Sequence, residues 1–289
     1  MNFIKKALLF AAAAGLIALL LYILFWAKSS RDAYGTLTVT NLKVGKADCA
    51  VLIYNDHSGL IDTGTRESYP VIDSFLKKNN VEKIDYMILT HYDKDHIGSA
   101  VPLIDAYDIE KIYLPDYTSE KQHYPELMNR VKDMDNTEFV SSPYTEETDS
   151  LSIEIIPADP QQDISEDDKD YDNNMSLLCM VSLGNKKLLF TGDIEKDRIA
   201  GILDSSLNID ADWIKLPHHG SYEKKMKKFL KKVSPEFSVI STSDEKMPDE
   251  ELISLLNDLH IKNYDTINEN VVTECDGTTL KVTGSSATN

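Results

Sequence analysis

At 289 residues the chain has room for a short terminal segment and one large domain, or for two small domains. A hydrophobic fraction of 42% and a charged fraction of 27% place it among globular proteins. Its net charge of −18 argues against a broad nucleic-acid-binding surface, since an acidic surface repels phosphate backbones at long range. A local basic patch can still act near one site.

Residues 7–27 form a run without a charged side chain, flanked by Lys5 and Lys6 before it and by Lys28 and Arg31 after it. That length spans a bilayer as one helix and exceeds the apolar core of most cleavable signal peptides. Residues 1–33 are therefore expected to be an uncleaved, single-pass membrane anchor. Lys5 and Lys6 would hold the N-terminus inside, so the remainder, 34–289, is expected to face outward as one domain.

From Tyr34 the apolar residues come in short runs. Strands are expected at 37–42, 50–54 and 59–61, then a helix at 69–79 and a buried strand at 84–89. A helix at 101–107, a strand at 111–114, an amphipathic helix at 120–135 and a strand at 151–156 follow. The acidic stretch 159–172 lacks an apolar period and is expected to be a surface loop. Residues 177–183 and 187–190 predict a hairpin around Gly184 and Asn185. Beyond Gly192 come a helix, a strand at 213–216, a basic helix at 224–233, a strand at 237–241 and a helix at 250–259. A closing hairpin at 271–275 and 278–282 turns at Asp276 and Gly277. Strands first, then helices alternating with strands, predict a layered α/β protein. Cys49, Cys179 and Cys275 fit no metal-binding spacing and are expected to be small core residues, with one disulfide as the alternative.

The densest chemistry lies in Leu89-Thr90-His91-Tyr92-Asp93-Lys94-Asp95-His96-Ile97-Gly98, which follows the apolar strand. His91, Asp93, Asp95 and His96 offer imidazole nitrogens and carboxylates at a strand end, a donor set that suits zinc or manganese. Asp193 and the pair His218 and His219 also follow apolar strands. The lysines at 224, 225, 227, 228, 231 and 232 stand out in so acidic a chain. Lys224, Lys225 and Lys228 among them could gather a polyanion, or simply form the solvated face of a helix.

These segments resemble the metallo-β-lactamase superfamily, and within it the hydrolase domain of ComEC-type competence (DNA-uptake) proteins. The first run is similar to the HxHxDH signature in its HxDxDH variant, with Asp93 in place of the second histidine. In order along the chain, Val44-Gly45-Lys46-Ala47-Asp48 resembles a VGQGD motif with two substitutions, and Leu60-Ile61-Asp62-Thr63-Gly64 an IDTG turn. Asn173-Asn174-Met175-Ser176-Leu177 resembles an NNxSL segment, residues 190–195 an LTGD(x)E segment, and residues 215–221 a VPHHGS segment. The likeness covers nearly everything from Thr36 to Val282.

The resemblance implies a four-layer αβ/βα sandwich holding one or two divalent ions, zinc or manganese. It implies metal ligands at His91, Asp93, Asp95, His96, Asp193 and His218, with Asp95, His218 and His219 as candidate catalytic groups. Which of His218 and His219 is the ligand stays open. Asp62, Asn174, Ser176 and Ser221 are expected to support the site or touch substrate. The late SYGHP-like segment departs from the pattern, since Met247 stands where its histidine is expected. Asp244 or Glu245 could substitute there, or the chain could hold fewer ions. The function implied is a membrane-anchored, metal-dependent phosphodiesterase or nuclease acting on DNA or another phosphodiester. Two alternatives stand beside it: a hydrolase of small lactams, lactones or thioesters, and a degenerate binding module without catalysis. No protein partner is implied.

Overall fold

A computed structural model describes residues 12–13, 15–22, 34–159, 164 and 169–286. Two eight-stranded sheets form the frame. In the first, β1 (Leu37–Asn41), β2 (Ala50–Tyr54), β3 (His57–Ile61), β4 (Lys83–Ile88), β5 (Asp108–Pro115) and β6 (Thr137–Val140) lie side by side in chain order. The second contains β7 (Tyr144–Thr148), β8 (Leu151–Ile156), β9 (Leu178–Leu183), β10 (Lys186–Phe190), β11 (Trp213–Lys215), β12 (Phe237–Ile240) and β13 (Lys262–Asp265). The chain then returns to the first sheet through β14 (Val271–Cys275) and β15 (Leu280–Thr283), and β16 (Ser285–Ser286) caps the second.

Side-chain alternation explains the layering. In β9, Cys179, Val181 and Leu183 point into a core shared by both sheets, where they meet Leu37, Val39 and Leu52 of the first sheet. Leu178 and Met180, one residue out of step, enter a different core with Ile214, Phe229 and Leu252. In β2, Leu52 faces the shared core, while Val51 faces a third core with Ile72, Leu76 and Leu103 of the helices. Strands that are apolar on both faces fit only a sheet covered on both sides. The result is helix, sheet, sheet, helix. Burying each such aliphatic side chain contributes roughly 1.5–3 kcal/mol.

Most expected elements are present, several with the same bounds, including β2, β8 and β14. The expected helix at 120–135 shrinks to Tyr124–Val131. Pro125, in its first turn, has no amide proton to donate and favours a helix start. β6, β7 and β13 are absent from the sequence reading. The first two are short and mostly exposed, so they carry no apolar period. In β13 the sequence Lys-Asn-Tyr-Asp hides a parallel strand whose Asn263 is buried and accepts a 2.9 Å bond from the Ser238 hydroxyl. The three cysteines are buried and free, as core residues rather than a disulfide.

Two expectations fall partly outside the described residues. Of the apolar run 7–27, residues 12–13 and 15–22 are described as helix, and the ends lie beyond. Among the described residues no helix is long and apolar enough to cross a membrane. The acidic loop is described at 159, 164 and 169–172, and its end winds into a short helix, Tyr171–Asn174.

Candidate metal centre

β3 to β6 run parallel in the first sheet, and β10 to β13 run parallel in the second. Residues just past the C-terminal ends of parallel strands are free of ladder bonds and converge in a crevice. Asp62 follows β3, Thr90 and His91 follow β4, Asp193 follows β10, His218 and His219 follow β11, and Ser241 follows β12. Sites from both sheets thus meet at one edge of the sandwich.

Three imidazoles there share one arrangement. His96 Nδ1 lies 2.8 Å from Asp62 Oδ2, His219 Nδ1 lies 2.9 Å from the Ser241 carbonyl, and His91 Nδ1 lies 3.1 Å from Thr90 Oγ1. Each contact turns the opposite nitrogen, Nε2, into the cluster. All three Nε2 atoms are buried and lack a well-aligned hydrogen bond. Yet His96 Nε2 and His219 Nε2 each lie 3.2 Å from Asp193 Oδ2, and His219 Nε2 lies 3.4 Å from Asp95 Oδ2. Two donors held about 2.0–2.1 Å from one tetrahedral ion lie roughly 3.3–3.4 Å apart. These contacts have the spacing of ligands that share an ion, with the geometry of a poor hydrogen bond. The sets His91, His96, Asp193 and Asp95, His96, His219 each bring their ligand atoms within 4.8 Å of one another. Nitrogen and carboxylate donors suit zinc or manganese, so the residues fit a divalent ion.

Charge within the cluster is strongly coupled. Burial, reinforced by repulsion from His96, pushes the His91 pKa down to about 3. Burial opposes charge on His96 as well, but Asp193 and Asp62 hold it well above the usual histidine range. His219 is likewise opposed by burial and carried up to about 9 by Asp193, Asp95 and Asp48. Burial works against ionisation of Asp193, which His219 and His96 nevertheless hold well below the carboxylate range. The buried carboxylates thus favour positive charge in the cluster, and a proton or a metal ion would meet the same field.

Backbone strain sets which of the adjacent histidines enters. His218 and His219 both have left-handed φ, at 46° and 53°, and their ring centroids lie 6.2 Å apart. His219 is buried in the cluster. His218 stands outside it, with Nδ1 3.0 Å from Glu195 Oε1, while its backbone amide donates to Asp193 Oδ1 at 3.2 Å. Of the two histidines the sequence left open, the structure thus brings His219, and not His218, to the ligand sets. Asp93 also turns away from them and pairs with Lys121 at 2.7 Å. Asp62 holds His96 and accepts from the Thr90 amide at 2.8 Å, so it supports the centre from behind. Ser176 Oγ accepts from the Asp193 amide at 3.2 Å and positions that carboxylate. Asn174 is not placed to orient water or substrate. It is fully buried, and its Oδ1 accepts from the Glu195 and Arg198 amides at the start of the helix Lys196–Asp204.

Among the described contacts, Ser221 joins this region only through its amide, which donates to the His218 carbonyl. Lys224, Lys225 and Lys228 are exposed, and none pairs with the cluster. Met247 is 63% exposed, and neither Asp244 nor Glu245 belongs to a ligand set, so the cluster closes without this loop.

Sequence reasoning missed the groups around this core. Asp48 Oδ1 lies 3.7 Å from His219 Nδ1, and its other oxygen pairs with the buried Lys215 ammonium. A lone lysine in the apolar strand Trp213–Lys215 was the available signal. Lys46 Nζ approaches Asp95 Oδ2 at 3.8 Å.

The Metallo-beta-lactamase superfamily model matches residues 42–244. ComE operon protein 3 of Bacillus subtilis is 27% identical over 199 residues, which are 63% of this chain and 25% of that protein. Recombination protein 2 of Haemophilus influenzae is 24% identical over 233 residues, 79% of this chain and 26% of that protein. The chain thus spans about a quarter of the length of the curated relatives it matches. Among solved structures, the metallo-beta-lactamase fold protein YhfI from Bacillus subtilis superposes with a TM-score of 0.53 at 14% identity. The match covers 83% of this chain and 100% of that one, a likeness of fold. The ComE operon match bears out the ComEC-type resemblance read from the motifs.

Proposed function

Because the chain belongs to the metallo-beta-lactamase superfamily, we propose that it is a metal-dependent phosphodiesterase or nuclease. One observation carries the metal-dependent part: three buried histidines are locked through Nδ1, and their Nε2 atoms, none in a well-aligned hydrogen bond, gather around Asp193 and Asp95. Locking the tautomer through the far nitrogen is how proteins aim imidazole at a metal. A bound divalent ion supplies Lewis acidity and a hydroxide nucleophile near neutral pH. His91, His96, His219, Asp95 and Asp193 would hold it, with one ion or two. Asp95, partly open to solvent and beside His219 Nε2, could orient an attacking water. The choice of a phosphodiester rests on likeness: one relative is named for a competence operon and the other for recombination.

The test is cleavage of plasmid DNA and oligonucleotides with manganese or zinc supplied, beside a chelator control and Asp95→Ala. Metal-dependent cleavage that the substitution lowers by about 10³-fold or more is expected, as for loss of a group central to hydroxide generation. An intact substrate under every metal would remove the proposal. We also propose that residues 7–27 anchor the chain in a membrane with the hydrolase domain outside. The exposed apolar side chains of Leu16, Ile17, Leu19, Leu20 and Leu21 support this. The chain should stay with membranes after carbonate extraction and be shaved from intact cells by protease. Release into the soluble fraction would argue against it.

A further inference from the structure

We propose that Lys46 is the residue by which the centre recognises an anionic phosphodiester, and that the groove beside it takes the neighbouring phosphate of a polynucleotide strand. The inference rests on the phosphodiesterase reading and adds to it a specificity residue and a binding track.

Lys46 lies on the loop between β1 and β2, with its ammonium 3.8 Å from Asp95 Oδ2 and its side chain 28% exposed. That distance is a loose ion pair, and an ammonium carries three donors. Asp95 is at the same time 3.4 Å from His219 Nε2, within a ligand set. Once a cation takes up the Asp95 charge, Lys46 remains as a positive group beside the centre, short of a counter-charge. An anionic substrate oxygen satisfies it, whereas a neutral lactam or ester does not.

The same lysine lines a groove of about 610 Å³ between its own loop and the loop at 242–246. Lys43 and Lys246 share that wall, and Asp244 and Glu245 are exposed at its edge. At Gly45, φ is 84° and no atom lies within 4 Å of where a Cβ would stand, so the backbone there is open to a ligand. Three lysines against two carboxylates leave this groove with a slight positive balance in a chain of charge −18, and Lys46 links it to Asp95 of the cluster.

The other candidate cations serve less well. Lys121 is held by Asp93 at 2.7 Å, a close pair that occupies it. The lysines of the helix Met226–Val233 occupy the face opposite Met226, Phe229, Leu230 and Val233, and among the described contacts none reaches the centre.

The experiment uses the full chain in detergent, a labelled phosphorothioate octamer of thymidylate that resists cleavage, and manganese. Binding is read by fluorescence anisotropy for the native chain, Lys46→Gln, Lys46→Arg and Lys228→Gln. The metal content of each is measured alongside. Lys46→Gln should weaken binding by about tenfold or more, the weight of one hydrogen bond to a charged group. It should also raise KM for a cleavable octamer with kcat within about twofold, at unchanged metal content. Lys46→Arg should retain most of the affinity, since the charge is kept. Native affinity in Lys46→Gln, with the loss falling on Lys228→Gln instead, would overturn the inference and move recognition to the basic helix. Loss of metal in Lys46→Gln would also overturn it, by making the lysine part of what holds the centre together. A native chain that neither binds nor cleaves any phosphodiester would remove the phosphodiesterase reading itself.

Discussion

His96 shows how much one contact decides. Its Nδ1 is held 2.8 Å from Asp62, which fixes both ring orientation and tautomer, and Asp62 itself sits at a left-handed φ of 60°. A strained residue persists only where its surroundings hold it, and here the held group aims a ligand. Asp62→Asn should lower metal affinity by about 10–100-fold while the fold persists. Competition with a chromogenic chelator measures this, and native affinity in the variant would show that Asp62 does not support the centre. The same charges give a pH dependence. His219 has its pKa raised to about 9, so below that pH an incoming ion must displace a proton from it. Metal affinity should therefore rise with pH up to about 9, by about tenfold per unit for each proton displaced. His91, already neutral above about 3, adds nothing in that window. Stability of the metal-free domain runs the other way. The contribution from His219 is fully present below the unfolded value of about 6.5 and is lost as pH rises through about 9. Affinity flat between pH 6 and 8 would contradict the assignment of His219 as a ligand.

At the level of elements, strands apolar on both faces were legible because they sit between two cores, as in β2 and β9. The polar β13 and the exposed β6 and β7 were not, since pairing in a sheet, rather than side-chain pattern, makes them strands. The candidate run from His91 to His96 stood out by donor density at a strand end, and three of its four donors fall in the candidate ligand sets while Asp93 pairs with Lys121. The choice of His219 over His218 was not legible, because it depends on two consecutive left-handed residues that no spacing encodes. Gly192 is where a turn itself carries the site. Its φ is 53°, and a Cβ there would fall 2.7 Å from Ser176 Oγ, the atom that accepts from the Asp193 amide. Gly192→Ala should cost about 2 kcal/mol or more, from the left-handed backbone and the overlap together. It should also weaken metal binding by displacing Asp193. Urea denaturation and elemental analysis test both effects, and an unchanged midpoint would show that the turn can relax.

Across the whole molecule, the centre is built where the two sheets meet. Asp95, His96 and His91 come from the first half of the chain, and Asp193 and His219 from the second. The buried pair Asp48–Lys215 joins the same two halves across 167 positions. Asp48 is laced into the first by its amide, which donates to the Asp95 carbonyl at 3.0 Å, and by its carbonyl, which accepts from the Gly64 amide at 2.7 Å. Lys215 is laced into the second, its carbonyl accepting from Thr191 Oγ1 at 2.7 Å. Removing one partner of a buried ion pair leaves the other charge stranded, which typically costs about 3–5 kcal/mol. Asp48→Asn should therefore destabilise the metal-free domain by roughly that amount, and Asp48→Asn combined with Lys215→Met should recover much of it. A divalent ion bound by ligands of both halves forms a second link between them, and binding to the folded state alone stabilises it by mass action. Asp48→Asn should then unfold at a much lower urea concentration in chelator than in excess zinc or manganese. Equal midpoints with and without metal would mean that the ion does not bridge the halves, and would count against a centre shared by both sheets.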